Sequence, residues 1–570
     1  MDDMGLLENG GPMPDTAPWQ QRERFCLLDT AFGQGERFLA TWHAWHATPG
    51  RCTQIHYVAL SETLPPPPSE EFAADWPLKV PGFHRLSLAQ GRFQLTLAIG
   101  DTDLNLRRIA ASCDAIVLGA PLQHAAALAR LAHAGTTIRA PFSDVHTRDA
   151  LSRAGFEINA VTGPAGMNGR FREMRRREPW GASAFSRKSA IVIGAGLAGT
   201  AAAASLADRG WAAIVLEREP HVAQGASGNL AGVLSPMLSK DDGAAARLSR
   251  ASYLFLLREL RGLDKSTHPA VWSACGVLQL ARNAKEEALF RDIATTHCYP
   301  EEYVRFLSQE EASQDLGHPA AAGGWLFPQG GWVNPPSLCE ARLKTRPSIQ
   351  VRTGEGVLEI ERTENEWRVL GAGGRVLGES PVLVLANAYE AARFAPSSAL
   401  HFKKVRGQVT HLPPDALPKM TRVLSRDGYL TPEVRGKICL GATYDFENDS
   451  PSLSPEGHVR NLSRLPELLP GTVCGPLPNS LEGRVGFRSL TSDRMPAVGA
   501  IPCAHPGLYG LLGLGSRGLV WSALAGETLA ALICGEPSPL PSDLLEAIAP
   551  ARRAMRTRRA IAGTSMDLDD

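Results

Sequence analysis

The sequence predicts an α/β protein with two nucleotide-binding-type domains, the second discontinuous and interrupted by an antiparallel sheet. Three observations predict it. The run Ala190-Ile191-Val192-Ile193-Gly194-Ala195-Gly196-Leu197-Ala198-Gly199 reads as strand, glycine turn and helix, and Glu217 closes the next apolar run. Before it, from Phe25 to about Val161, short apolar runs alternate with helical stretches, the pattern of a parallel sheet. After it come short, turn-bounded alternating segments, and past Gly483 the text returns to Gly-rich loops and an Ala-rich helix at 522–532.

Each element follows in order. Residues 1–20 carry Gly, Pro and Asp without an apolar period and read as a disordered N-terminus. Residues 21–178 form the first domain, with apolar strand runs at 25–28, 55–60, 93–99, 115–118 and 137–138 and a helix at 125–133. Four prolines at 65–68 make a polyproline loop. Residues 179–188 are the linker, inside a basic stretch (169–188) of Arg170, Arg172, Arg175, Arg176, Arg177, Arg187 and Lys188 against Glu173 and Glu178. That excess reads either as a solvated linker or as a phosphate-binding patch. Residues 189–545 form the second domain, its substrate-binding sheet mainly within 270–330 and 400–480, with alternating segments at 276–280, 351–353, 408–412, 428–432 and 437–442. A charged tail, 546–570, carries Arg552, Arg553, Arg556, Arg558 and Arg559 before Asp567, Asp569 and Asp570.

Composition narrows the function. A chain of 570 residues exceeds what one core supports. Ten cysteines with no C-x-x-C pair argue for reduced thiols and against a zinc ribbon or disulfide frame, so no metal is expected. Zero net charge leaves nucleic-acid binding to a local basic patch. The uncharged run 190–207 is about long enough to cross a bilayer, but its three glycines fall where a strand turns into a helix, and Asp208-Arg209 follow at once. The start, Met1-Asp2-Asp3, lacks the basic and apolar regions of a signal peptide, so no membrane partner and a cytoplasmic location are expected.

The glycine run carries the chemistry. Gly194 permits the tight turn, Gly196 lets the backbone approach a pyrophosphate, and Gly199 lets the helix pack against the sheet. Glu217 lies 23 residues beyond Gly194, where an acid holds a ribose hydroxyl. In the loop 224–229, Ala226, Ser227, Gly228 and Asn229 either bring amides to a phosphate or flavin ring or form a plain turn. Gly515, Ser516, Arg517 and Gly518 precede the last long helix, whose N-terminus and arginine would stabilise negative charge on a reduced flavin. Two such helix starts, roughly 300 residues apart, fit one large cofactor, FAD, better than NAD.

Residues 189 to about 545 resemble the flavin oxidases of the D-amino-acid oxidase and glycine oxidase superfamily. They resemble more closely the FAD-dependent half of the bifunctional family that builds 5-methylaminomethyl-2-thiouridine in tRNA. The resemblance rests on the 224–229 loop and 232–238 (GVLSPML), then 330–336 (GGWVNPP), Arg406-Gly407-Gln408 and 428–432 (GYLTP). It continues through 441–445 (GATYD), Gly486-Phe487-Arg488, Asp493-Arg494-Met495-Pro496 and 515–518 (GSRG).

It implies oxidation of the carboxymethylaminomethyl group on the wobble uridine of a tRNA. FAD would take a hydride from the carbon beside nitrogen, and water would hydrolyse the imine to glyoxylate and aminomethyl uridine. Molecular oxygen would re-oxidise the flavin. It also implies that Arg488 grips the substrate carboxylate, the alternative being an ion pair with Glu482 or Asp493. Tyr429 either hydrogen-bonds that carboxylate or packs in the core. Oxidation of glycine or another small amino acid is the competing activity.

In the same family the N-terminal half is an S-adenosylmethionine-dependent methyltransferase. Asp29-Thr30-Ala31-Phe32-Gly33-Gln34-Gly35 resembles its glycine loop (E-x-G-F-G-T-G), Gly100-Asp101 its adenine-side acid, and Arg172-Glu173-Met174 its closing strand. The resemblance thus implies that Gly33, Gly35 and Asp101 face the methyl donor. A segment at 76–86 matches as well. Three departures predict weakened or lost methyl transfer. The aromatic and acidic N-terminal segment is missing, the ribose acid survives only as a shifted Glu62, and the D-G-F-A-P loop reads Gly119-Ala120-Pro121. No carboxylate is left there to position the accepting amine.

Overall fold

The computed structural model describes residues 18–20, 22–121, 124–160, 166–172, 185, 187–472 and 481–552. Most of the expected N-terminal disorder, the core of the basic linker and the tail beyond Arg552 lie outside the described residues. Two compact units divide the chain, Met1–Ala184 with Ala530–Leu545, and Phe185–Leu529 with Glu546–Asp570.

The first unit is an eight-stranded sheet in the order Gly82–Leu88, Phe93–Ile99, Gln54–Ser61, Arg24–Asp29, Cys113–Val117, Ala132–Ala140, Met167–Phe171 and Phe156–Ala160. Its five central strands are parallel, and both ends carry antiparallel pairs. The expected runs at 25–28, 55–60, 93–99 and 115–118 are these central strands. They are apolar on nearly every residue because both sheet faces are covered. The expected helix at 125–133 stops at Leu131, where the chain enters the strand Ala132–Ala140. The closing strand is Met167–Phe171, so Arg172 lies just past it and Glu173-Met174 lie outside the described residues.

One domain boundary moves. Residues Ala530–Leu545, expected in the second domain, pack with the first unit. There Arg85 (2% exposed) donates to the Pro537 carbonyl, and Ser538 N–H donates to Ala110 O at 2.9 Å. The sequence could not show this, because the last apolar helix runs without a break up to Cys534.

The second unit is built on a six-stranded sheet ordered Ile349–Arg352, Ala212–Leu216, Ser189–Ile193, Val382–Leu385, Leu508–Leu512 and Ala497–Ala500. All pairs are parallel except the last. Segment 351–353, read as part of the antiparallel substrate sheet, in fact extends this nucleotide-binding sheet, pairing parallel to Ala212–Leu216. Strand order reverses at Ser189–Ile193, which places the binding crevice at its carboxyl end. The inserted substrate sheet has eight strands, running from Val277–Leu280 to Glu482–Leu490, and so extends past residue 480. Its pairs are antiparallel apart from Val277–Leu280 with Val423–Ser425.

The run 190–207 is a strand followed by an 11-residue helix, Leu197–Ala207. Among the described residues one helical stretch, Gly515–Cys534, has the length and composition to cross a membrane, and 78% of its window is buried inside the protein. Its alanines and glycine let it lie against the first helix, with Gly526 near Ala201, and a buried Arg209–Glu527 ion pair at 2.7 Å fastens the two.

Candidate active site

The site is assembled from four loops and one strand of the second unit. Gly194 turns at φ 107°, a left-handed conformation that favours glycine, and a Cβ there would lie 2.8 Å from Ala386 O. Gly196 caps the helix Leu197–Ala207 without a side chain of its own, and a Cβ on it would meet Ser227 Oγ at 2.9 Å. Ser227 Oγ in turn accepts the Leu197 N–H at 3.1 Å, which locks the 226–229 loop onto the glycine turn. At Gly199 a side chain would overlap the Gly194 carbonyl, so helix and turn are in backbone contact.

Glu217 stands at the end of the next strand. Its Oε2 accepts Ala195 N–H at 2.8 Å and its Oε1 accepts Glu219 N–H at 3.0 Å. Each carboxylate oxygen keeps a further lone pair for a ribose hydroxyl. Strand, positive-φ turn, helix N-terminus and fixed acid together form a cradle that fits the pyrophosphate and ribose of FAD.

The strand Glu482–Leu490 crosses this cradle and carries its cations. Residues 484, 486 and 488 share one face, because side chains alternate along a strand. Arg484 donates to Gln224 O and Gly225 O at 2.5 Å each, and a Cβ on Gly486 would lie 3.4 Å from Ala226 Cα. Past Arg488, Leu490 reaches the 515–518 turn, where a Cβ on Gly515 would sit 3.5 Å from Leu490 Cγ. Gly515–Arg517 forms a single 3-10 turn leading into the helix Gly518–Cys534, which confirms the expected second helix start. Arg484 was missed from the sequence; its two-residue spacings to Gly486 and Arg488 were the signal.

Arg488 is the cation with most to offer a ligand. Its side chain lies over Gly407 on the neighbouring strand, where any Cβ would overlap the guanidinium. Nη1 donates to Thr443 O at 3.2 Å, and Cζ lies 5.4 Å from the Tyr444 ring centroid. The two acids that offered an ion pair are engaged elsewhere: Glu482 holds Lys437, and Asp493 holds Arg552 at 2.8 Å. Among the described residues Arg488 has no carboxylate partner, and burial pulls its pKa below the ordinary guanidinium value. Arg517 is likewise lowered by burial. A desolvated cation without a counter-charge is a site for an anion.

Tyr429 stands beside it, packed with Ala231, Val409 and Cys439. Burial pushes its phenol up, and the Arg488 charge pulls the other way. Tyr429 is therefore both core packing and neighbour to the anchor. Arg552, read as part of a basic tail, is 6% exposed and bound to Asp493.

In the first unit the glycine loop follows the strand Arg24–Asp29. Asp29 is fully buried, with Arg37 at 2.8 Å and Tyr57 Oη at 2.7 Å on its carboxylate. Gly33 (φ 61°) and Gly35 (φ 90°) both take left-handed turns. Beside Gly35 the Pro68 and Phe32 side chains lie 2.8 and 3.1 Å from where a Cβ would be. Ala31 occupies the motif's first glycine position and presses on Gly119, which donates to Thr30 Oγ1 at 3.1 Å. Asp101 is exposed and caps its helix by accepting Leu104 N–H at 2.8 Å. Among the described residues no group of three or more His, Cys, Asp or Glu is placed to hold a metal ion.

Comparison with known proteins bears on both units. The family model described as "FAD dependent oxidoreductase" matches residues 189–532. The tRNA 5-methylaminomethyl-2-thiouridine biosynthesis bifunctional protein MnmC of Aromatoleum aromaticum (strain EbN1) is 40% identical over 98% of this chain and 93% of its own. The protein of the same name from Paraburkholderia phytofirmans (strain PsJN) is 38% identical over 96% and 93%. The chain belongs to the bifunctional MnmC family. MnmC membership makes the second unit an FAD-dependent oxidoreductase, and the cradle and arginines described above lie in the span that the family model matches. The chain is also similar in fold to the iminodiacetate oxidase of Chelativorans sp. BNC1, with 25% identity and a TM-score of 0.53 over 63% of this chain and 98% of that one.

Proposed function

We propose that the second unit removes the carboxymethyl group from 5-carboxymethylaminomethyl uridine, with or without the 2-thio group, at the wobble position of tRNA. Its products are 5-aminomethyl uridine and glyoxylate. The observation that carries this reading is Arg488, a buried guanidinium with no carboxylate partner among the described residues, beside a flavin-type cradle. Two relatives are named for building 5-methylaminomethyl-2-thiouridine in tRNA. The similar iminodiacetate oxidase is named for a secondary amine that bears carboxymethyl groups.

The division of labour follows from the residues. FAD, when bound, supplies the hydride-accepting chemistry. Gly194, Gly196, Gly199 and the Leu197–Ala207 helix start hold the pyrophosphate, and Glu217 holds the ribose. Ala226, Ser227, Gly228 and Asn229 line the cofactor from the second loop. Gly515, Ser516, Arg517 and Gly518 present a helix start and a cation to developing negative charge. Arg488 grips the carboxylate with a fork that fixes the methylene carbon, assisted by the Tyr429 hydroxyl. The methylene carbon would give up a hydride and the nitrogen a proton, and water would hydrolyse the resulting imine to glyoxylate and the amine, with molecular oxygen as the final electron acceptor. The reaction takes place in the cytoplasm.

The first unit is a weakened or lost S-adenosylmethionine methyltransferase. The Ala31–Gly119 contact and the missing loop carboxylate support this, while Gly33, Gly35 and Asp101 keep the outline of a donor site. Nucleoside analysis of tRNA from cells lacking the gene tests the oxidation. Retained carboxymethylaminomethyl uridine is expected, and a normal modification profile would refute it. Glycine oxidised as fast as modified tRNA would favour a small-molecule oxidase instead.

A further inference from the structure

We infer that Tyr444 and Phe446 form a stacking platform for the uracil ring whose side branch Arg488 grips. This rests on the reading of the site as one for a carboxymethylaminomethyl uridine. Both rings are exposed, Tyr444 to 39% and Phe446 to 55%, in a molecule that buries most of its large apolar side chains. They lie 5.2 Å apart at 74°, next to Arg488, whose guanidinium lies over the Tyr444 ring.

The loop that bears them is clamped. Arg406, 1% exposed, donates from Nε to Ser450 O at 2.8 Å and from Nη2 to Ser452 O at 2.6 Å. Gln408 fixes the loop's far end by exchanging hydrogen bonds with the Ser454 backbone at 2.9 Å each. Residue 445, between the two aromatics, forms a reciprocal backbone pair with Arg406 at 2.8 and 3.0 Å. An extended residue pinned in this way sends its two neighbours to one side, which keeps Tyr444 and Phe446 together. Holding two exposed rings in a fixed pose has no packing benefit for the fold itself.

The reach of the substrate matches. From the carboxylate carbon to C5 of uracil run four bonds of about 1.5 Å, which span roughly 5 Å in a zigzag. A guanidinium–carboxylate pair adds about 4 Å between its carbons, so the ring edge falls roughly 9 Å from Arg488 Cζ. The Tyr444 centroid is 5.4 Å from Cζ and the Phe446 centroid is 5.2 Å from the Tyr444 centroid, so both rings lie within the range of the base. One face of Tyr444 is covered by the guanidinium, which leaves the Phe446 ring for the base. Unstacked bases of single-stranded loops bind aromatic faces in this manner.

The test uses the full chain with its flavin and an anticodon stem-loop RNA carrying 5-carboxymethylaminomethyl uridine. Phe446→Ala should raise KM for the stem-loop about tenfold with kcat within twofold, and Phe446→Trp should restore it. A KM within twofold of wild type, or no rescue by Trp in a folded yellow protein, overturns the platform. A Phe446→Ala protein that changes oligomeric state in light scattering while keeping its KM makes the patch a protein contact and also overturns it. If the wild-type protein fails to oxidise the stem-loop at all, the functional reading falls, and the platform with it.

Discussion

Replacing Arg488 by alanine separates binding of the substrate from stability of the fold, and the structure predicts opposite outcomes for the two. The side chain makes one hydrogen bond, to Thr443 O, and has no carboxylate partner among the described residues. Its charge is desolvated by burial. Removing a buried cation that lacks a counter-charge relieves a penalty, so the melting temperature should stay within a few degrees of wild type or rise. Activity should respond otherwise. A bidentate, charge-assisted carboxylate contact contributes about 3 kcal/mol or more, so kcat/KM for modified tRNA should fall by roughly 10²–10³. Because the fork also orients the carbon that gives up hydride, kcat should fall along with the rise in KM. Arg488→Lys should recover only part of this, since an ammonium cannot form the fork. The assay is steady-state peroxide release, with the visible flavin spectrum as a check on cofactor content. A flavin-replete Arg488→Ala protein with kcat/KM within threefold of wild type would refute the anchor.

Three further outcomes follow from the same geometry. Gly407→Ala places a methyl group where the Arg488 guanidinium lies, so it should lower kcat/KM at least about tenfold in a folded, flavin-bound protein; unchanged kinetics would show that Arg488 works from another position. Gly196→Val puts a branched side chain against Ser227 Oγ, 2.9 Å from the nearest Cβ position, and should yield colourless protein; a normal flavin band would count against the cradle. Burial lowers the pKa of His411, on the strand Lys403–Leu412 of the substrate sheet, and of His458, on the helix Pro455–Leu462 beside it, so the folded state resists protonating them. Stability from this source is therefore present above about pH 6.5 and is lost as pH falls through the lowered values. The melting temperature should drop between pH 7.5 and 5.5, and a His411→Gln, His458→Gln double variant should show a shallower slope.

The departures of the sequence reading share one cause. Segment 351–353 alternates like an antiparallel strand yet joins the parallel sheet, because a four-residue edge strand, Ile349–Arg352, looks the same from within in either setting. The helix at 125–133 ended early because Ala132 and His133 suit either element, and pairing with Cys113 set the boundary. The glycine turn was legible since its requirements are local: a positive φ at Gly194, no Cβ at Gly196 and an acid one strand later.

The sequence alone showed the nucleotide-binding turn and the second helix start, because each depends on spacing within a short stretch, while Arg488 as a candidate anchor came from the family resemblance. Only the tertiary structure decided that Glu482 and Asp493 are engaged by Lys437 and Arg552, which leaves Arg488 without a carboxylate partner among the described residues. It also brought Arg484 to the 224–225 carbonyls, pinned the aromatic loop on Arg406, and assigned Ala530–Leu545 to the first unit. The physical reason is that ion pairing and desolvation depend on which distant segments meet, and a chain read one residue at a time carries no record of those distances.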